Sequence, residues 1–302
     1  MTKNITKLSL DLKYKNSQMN KIVILIHCRD QKGIIAAVTN YIASIEGNII
    51  YLDQHVDGDQ DVFFMRLVCE FGKADFNLDN IKDDFQKNLA SPFSMSWSIQ
   101  LQERKPRMAI FVSKYDHCLY DILSRYSTGE LPVEIPIIIS NHNNLSSVAE
   151  RFSIPFQHIP FTKENKESGE KEQIEILEKH QIDFIVLARY MQIITPNLIE
   201  LYKNKIINIH HSFLPAFPGA KPYHSAFNRG VKIIGATSHY VTEELDEGPI
   251  IEQDITRVTH SHSIEDFIMK GKDLERMVLA RAIKLHSERK TMVYNNKTVV
   301  FA

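Results

Sequence analysis

From Lys21 the apolar residues fall into two alternating rhythms. The run KIVILIH predicts a β-strand, and DQKGIIAAVTNYIASIEGN then carries Ile34, Val38, Ile42 and Ile45 at helical spacing, with Gly33 opening the helix and Gly47 at its stop. NIIYLDQHV and VFFMRLVCEF flank the turn DGDQD and predict a hairpin. A second helix follows with Leu78, Ile81, Phe85 and Leu89 on one face. In FSMSWSIQL, Phe93, Met95, Trp97, Ile99 and Leu101 alternate with polar residues as a strand does. The order β-α-β-β-α-β over residues 21–101 predicts a ferredoxin-like α+β domain. Asp30, just ahead of the first helix, reads as a helix cap rather than a catalyst.

After QERKPR, residues 102–107, a charged linker with Pro106, the rhythm changes. RMAIFVSK, VEIPIIISN, PFQHIP, DFIVLARY and KIINIHHS read as strands, separated by the helical segments DHCLYDILSRYS, NLSSVAERF, EQIEILEKH and TPNLIELYK. Such alternation predicts parallel strands joined by helical crossovers, a doubly wound α/β domain over residues 108–302. Two further strands flank the acidic loop TEELDEG. Ser263 with Asp266 forms a capping box for a long helix, and MVYNNKTVVF closes on an Asn295-Asn296 turn. Residues 1–20 read as a polar tail.

Composition narrows the classes. At 302 residues, 43% hydrophobic and 24% charged, the chain is an ordinary two-domain globular protein. A net charge of -1 provides no basic field for nucleic acid or anionic membrane, and no apolar run approaches a membrane span of about 20 residues. Cys28, Cys69 and Cys118 are odd in number and far apart, which points to reduced thiols in the cytoplasm.

Ligands in doubly wound sheets bind where strands end at their carboxyl edge. INIHHSFLPAFPG puts polar residues at such an end, and alternation places Asn208 and His210 on one side of the strand and His211 on the other. The same reasoning argues against zinc shared among His211, His224 and His239, so no metal is expected. Taken alone, each of these residues could be structural: a strand-end histidine is commonly hydrogen-bonded, and Asp246 in LDEG could simply make a turn.

The ordered combination of NIHHSFLPAFPGAKPYHSAFNRGVKIIGATSHYV with TEELDEGPII resembles the formyltransferase family that uses 10-formyltetrahydrofolate, over residues 107–288. HCRDQKGIIAAVTNYIASIEGNI resembles an ACT domain, a regulatory module. An ACT-like domain ahead of a formyltransferase domain is similar to the arrangement in formyltetrahydrofolate deformylases. The resemblance implies three catalytic residues, Asn208, His210 and Asp246, with His211 and His239 in support. It also implies a folate pocket in which Met191, Gln192, Ile193 and Ile194 of ARYMQIITPNL face Glu243 and Leu245 of the acidic loop. Core packing remains the other reading of the apolar members, and Arg189 could meet either the glutamate tail or a nearby carboxylate.

The residue types suit formyl chemistry. An amide donor can stabilise charge on the formyl oxygen, an imidazole can move protons, and a carboxylate can orient it. The implied reaction is hydrolysis of 10-formyltetrahydrofolate to formate and tetrahydrofolate, with no permanently bound cofactor. The alternative is transfer to an amine such as glycinamide ribonucleotide. Against transfer, the stretch from Arg107 to Thr128 contains no glycine to build a phosphate-cradling turn. A non-catalytic folate sensor would require loss of one of the three residues, and all are present. The first domain is expected to bind an amino acid such as glycine or methionine around Asp30 and Gly33, in a homo-oligomer, a dimer or tetramer.

Overall fold

The computed structural model describes residues 20–72, 76–162, 165–216 and 222–301. The polar tail lies outside them except for Asn20, which opens the first strand. The chain divides into two compact units, with the boundary between Glu103 and Arg104.

The first unit runs β1 (Asn20–Arg29), α1 (Ile34–Ser44), β2 (Asn48–Asp57), β3 (Val62–Phe71), α2 (Leu78–Phe85) and β4 (Ser96–Leu101), and a π-helical turn at Gln86–Ala90 prolongs α2. Its antiparallel sheet has the order β2-β3-β1-β4, the ferredoxin-like arrangement. Strand alternation puts Ile22, Ile24 and Ile26 of β1 and Met65 and Leu67 of β3 against Val38, Ile42, Phe85 and Leu89 of the helices. Gly33 caps α1 from a left-handed conformation, φ 93°. Asp30 does not cap the helix: no side chain bonds its N-terminus, and the Asp30 amide instead donates to the Asp61 carbonyl at 2.9 Å. The helix starts at Ile34 with Gly33 in the capping position, so Asp30 lies three residues too early to cap it.

The second unit continues with β5 (Arg107–Val112), α3 (His117–Ser127), β6 (Glu134–Ser140), α4 (Ser146–Arg151), β7 (Phe156–His158), α5 (Lys166–Lys179), β8 (Phe184–Ala188) and α6 (Pro196–Leu201). Then come β9 (Ile206–His210), α7 (Pro222–Arg229), β10 (Ile233–Tyr240), β11 (Ile250–Arg257), α8 (Ile264–Ser287) and the hairpin β12 (Thr291–Tyr294) and β13 (Lys297–Val300). The seven-stranded sheet has the order β11-β10-β9-β8-β5-β6-β7. From β9 to β7 it is parallel, and β10 and β11 run antiparallel at the other edge. This is the mostly parallel, doubly wound α/β architecture that the alternation predicts, with a smaller α+β unit ahead of it.

Both faces of the sheet are covered, which explains why β5 and β8 are nearly continuous apolar runs. Met108, Ile110 and Val186 pack with α3 and α8 on one face, while Ala109, Phe111, Ile185 and Leu187 pack with Leu177 and Leu198 on the other. The chain builds β5, β6 and β7 toward one edge, then crosses back to add β8 and β9 beside β5. The topological switch point therefore falls between the carboxyl ends of β5 and β8. The capping box of α8 is complete, Ser263 and Asp266 bonding each other's backbone. No helix among the described residues is long and apolar enough to cross a membrane.

Candidate active site

Asn208 and His210 emerge at the carboxyl end of β9. Antiparallel pairing sets Asn208 opposite His239 of β10, and the Asn208 amide donates to His239 Nε2 at 3.2 Å. His239 Nδ1 donates to the Tyr240 carbonyl at 2.9 Å, so the neutral ring presents an acceptor at Nε2 and fixes the amide's orientation. One N–H of Asn208 is used this way, and the other is left for a ligand. His210 is buried, with Nδ1 at 3.2 Å from Asp246 Oδ2, while its Nε2 has no hydrogen-bond partner. Asp246 Oδ1 stands 3.6 Å from His239 Nε2, close but beyond hydrogen-bond length. Hydrogen bonding from His210 holds the Asp246 carboxyl far below the usual carboxylate range.

The acidic loop is held so that Asp246 can reach both histidines. Asp246 adopts φ 58°, a left-handed conformation that aspartate tolerates better than most residues. Two residues on, a Cβ at position 248 would lie 1.8 Å from the Tyr240 carbonyl oxygen, so only glycine lets the loop return against β10. The Asn296 side chain, in the turn of the terminal hairpin, donates to the Glu247 carbonyl at 2.8 Å.

His211 is not on the far side of the strand. The strand ends at His210, so alternation no longer governs the next residue, and the two rings lie 5.2 Å apart at 44°. Its other neighbour is Tyr223, with ring centroids 5.9 Å apart. The turn beyond it is pinned to β10 by Thr237, whose hydroxyl donates to the Ser212 carbonyl and accepts from the Leu214 amide.

Asn208, His210, His211, His239 and Asp246 line a cleft of about 390 Å³ whose opposite wall is the loop after β8. That loop is rigidly tied: the Met191 amide donates to Ser113 Oγ at 2.9 Å, Gln173 donates to the Tyr190 hydroxyl at 3.0 Å, and buried Glu170 accepts from Thr195. Met191, Gln192, Ile193, Ile194 and Leu245 all line the cleft. Met191 is 51%, Ile193 59% and Leu245 64% exposed, which rules out core packing for these three, whereas Ile194 is 8% exposed and buried from one side. Glu243 is exposed and outside the lining, and Glu244 occupies the wall instead.

A second polar cluster adjoins this site. Glu275, 1% exposed in the middle of α8, accepts from His117 Nε2 at 2.9 Å and from the Tyr223 hydroxyl at 2.7 Å. Arg189 Nε lies 3.4 Å from the same carboxylate, with the guanidinium 5.0 Å over the Tyr115 ring. Of the partners open to Arg189, it is the carboxylate that it meets. Burial alone would push the Glu275 carboxyl up, but the His117 hydrogen bond and the Arg189 charge outweigh it and hold it below its ordinary value. His117, Cys118 and Glu275 could bring ligand atoms within 4.8 Å of one another. Burial keeps the Cys118 thiol well above its usual pKa, and Arg189 already supplies the cation, so this reads as a self-neutralised cluster.

A family model described as formyl transferase matches residues 106–283. The chain is 50% identical over 279 residues to formyltetrahydrofolate deformylase of Synechocystis sp., covering 92% of this chain and 98% of that protein. The chain belongs to the formyltetrahydrofolate deformylase family. A crystal structure of a formyltetrahydrofolate deformylase from Pseudomonas syringae pv. tomato superposes with a TM-score of 0.91 at 46% identity, over 96% of this chain and 97% of that one. Glycinamide ribonucleotide transformylase 1 from Symbiobacterium toebii is more distant, with a TM-score of 0.63 at 27% identity over 67% of this chain and 97% of that one. Deformylases are thus similar along nearly the whole chain, and the transformylase along two thirds of it.

Proposed function

We propose that this chain hydrolyses 10-formyltetrahydrofolate to formate and tetrahydrofolate. The observation that carries the reading is the His210–Asp246 pair at 3.2 Å, with His210 Nε2 unpartnered beside the Asn208 amide in the cleft. Membership of the deformylase family supports it. Water adds to the formyl carbon, and its proton passes to His210 Nε2, which Asp246 holds in the tautomer able to accept it. The free N–H of Asn208 stabilises the oxyanion. The carbon–nitrogen bond then breaks, the proton goes to the departing N10, and formate is released. Met191, Ile193, Ile194 and Leu245 give the pterin apolar walls, while Gln192 and the backbone beside Glu243 and Glu244 offer hydrogen bonds to its edge. His211 packs on His210, and His239 orients Asn208. The reaction needs no bound cofactor.

For the first unit we propose a regulatory, ACT-like role, in which a small amino acid such as glycine or methionine binds around Asp30 and Gly33 of a homo-oligomer. The exposure of residues 31–33 supports this reading. The three cysteines are buried and unpaired, which supports a reducing, cytoplasmic setting. The deciding experiment is incubation of the pure protein with 10-formyltetrahydrofolate as sole substrate. Formate and tetrahydrofolate should appear in equal amounts, and their absence without an added amine would sink the hydrolase reading. Calorimetry across a panel of amino acids tests the first unit, and a flat result would reduce it to an assembly module.

A further inference from the structure

The buried Glu275 cluster occupies a position that the fold reserves for ligands. Open α/β sheets bind them in the crevice at the topological switch point, here between the carboxyl ends of β5 and β8. Arg189 follows β8 directly, and His117 opens α3, the eleven-residue helix after β5. These two residues flank the crevice, and both lean on Glu275. A guanidinium, an imidazole and the Tyr223 hydroxyl converge on one point at the start of a helix, an arrangement suited to an anion. The anion present is the protein's own carboxylate. Arg189 Nε is buried without a hydrogen-bond partner, 3.4 Å from the carboxylate, so the cluster keeps unused donor capacity beside that charge.

The packing of α8 shows how closely the carboxylate is fitted. A Cβ at Gly271, one turn before Glu275, would lie 2.3 Å from the Tyr223 hydroxyl, so glycine is needed for Tyr223 to pass beneath the helix to the carboxylate. Tyr223 also packs on His211, and His211 on His210, so the cluster adjoins the reacting end of the cleft.

We propose that Glu275 is the acceptor-specificity residue of this enzyme: its carboxylate fills the anion position at the switch point from within, so a phosphorylated amine cannot dock beside the formyl group and water remains the acceptor. The proposal rests on the hydrolase reading and says why that reading excludes transfer. Neutralising Glu275 leaves Arg189 without its counter-charge in a crevice suited to phosphate.

The test compares wild-type full-length protein with Glu275→Gln, using inorganic phosphate and glycinamide ribonucleotide as probes. Calorimetry should show no binding of either probe to the wild type, and its formate release should be unmoved by the phosphorylated amine. Glu275→Gln should bind both at least about tenfold more tightly, as expected where a charge-assisted bond replaces repulsion, and be inhibited by the amine. A Glu275→Gln/Arg189→Gln double variant should lose that binding again. If Glu275→Gln does not melt cooperatively alone, millimolar phosphate should restore a cooperative melt. A cooperatively folded Glu275→Gln that binds no better than wild type, an unfolded one that phosphate does not restore, or a wild type that already binds the amine would each overturn the proposal. Binding is measured without turnover, so failure to release formate would sink the hydrolase reading while leaving this comparison intact.

Discussion

Asp246 and Glu275 are two carboxylates in one unit, each paired with histidine, and they are built for opposite ends. Asp246 sits in a loop with 35% of its side chain exposed, at 3.2 Å from His210 and 3.6 Å from His239. Glu275 sits mid-helix, 1% exposed, bonded to His117 and Tyr223 with Arg189 alongside. Both are held below their ordinary pKa by these partners, and both neighbouring histidines keep an unpartnered nitrogen. Pairing and a perturbed pKa therefore do not mark the reacting carboxylate. What separates them is the cleft: His210 lines it beside an amide donor and two apolar walls, and His117 does not.

The comparison predicts opposite mutational signatures. If His210 carries the proton, His210→Ala should lower kcat by roughly 10²- to 10⁴-fold in a protein that still folds, a loss far larger than its change in stability accounts for. Asp246→Asn should lower kcat similarly, measured as steady-state formate release beside a thermal melt that shows the variant still folds. Retention of half the activity in either would remove the pair from the mechanism. Glu275→Ala should cost about 3–5 kcal/mol in urea unfolding, since removing one partner of a buried cluster strands the others. A Glu275→Ala protein as stable as wild type would mean that Arg189 and His117 do not depend on it. Asn208→Ala should cost about 3 kcal/mol of transition-state stabilisation, seen in kcat, and a change confined to KM would make it a binding residue.

The two clusters also differ in how far they could be read from sequence. Asn208, His210 and Asp246 were legible only through the resemblance: a polar strand end and an acidic turn are local signals, but taken alone each has a structural explanation. The register that sets His239 opposite Asn208 is not local, so the amide's orienting partner appeared only as support. Alternation cannot place His211, because the strand ends one residue before it. In the acidic loop, the turn moves the wall from Glu243 to Glu244, a shift of one residue that composition cannot resolve. Glu275 gave no signal of its own: it lies 158 residues from His117 and looks like any polar helix position. Gly271 was the available clue, because glycine inside a long helix costs about 1 kcal/mol and calls for a close contact. The alternation of strands and helices survived translation into the fold almost whole, since buried parallel strands must be apolar throughout.

The smallest effect distinguishes both clusters from a histidine outside them. His286, in the last turn of α8, accepts from or donates to the Tyr240 hydroxyl through Nδ1 at 2.8 Å. Burial, with Lys205 and Arg289 nearby, lowers its pKa to about 4. In the unfolded chain it should titrate near 6.5. Between these values the unfolded state binds a proton that the folded state refuses, so stability falls as pH drops through this window, by at most about 1.4 kcal/mol per pH unit. The carboxylates act elsewhere: Asp246 and Glu275, whose pKa values are depressed, contribute fully above their unfolded values of about 4, and that contribution is lost only as pH falls below them. His286→Gln keeps a polar partner for Tyr240 and removes the titration. The difference in unfolding free energy between wild type and His286→Gln should therefore vary with pH from about 6.5 to about 4 and level off on either side, the other histidines cancelling in the subtraction. A difference that is constant across the window would show that His286 takes up its proton in the folded protein as readily as in the unfolded one.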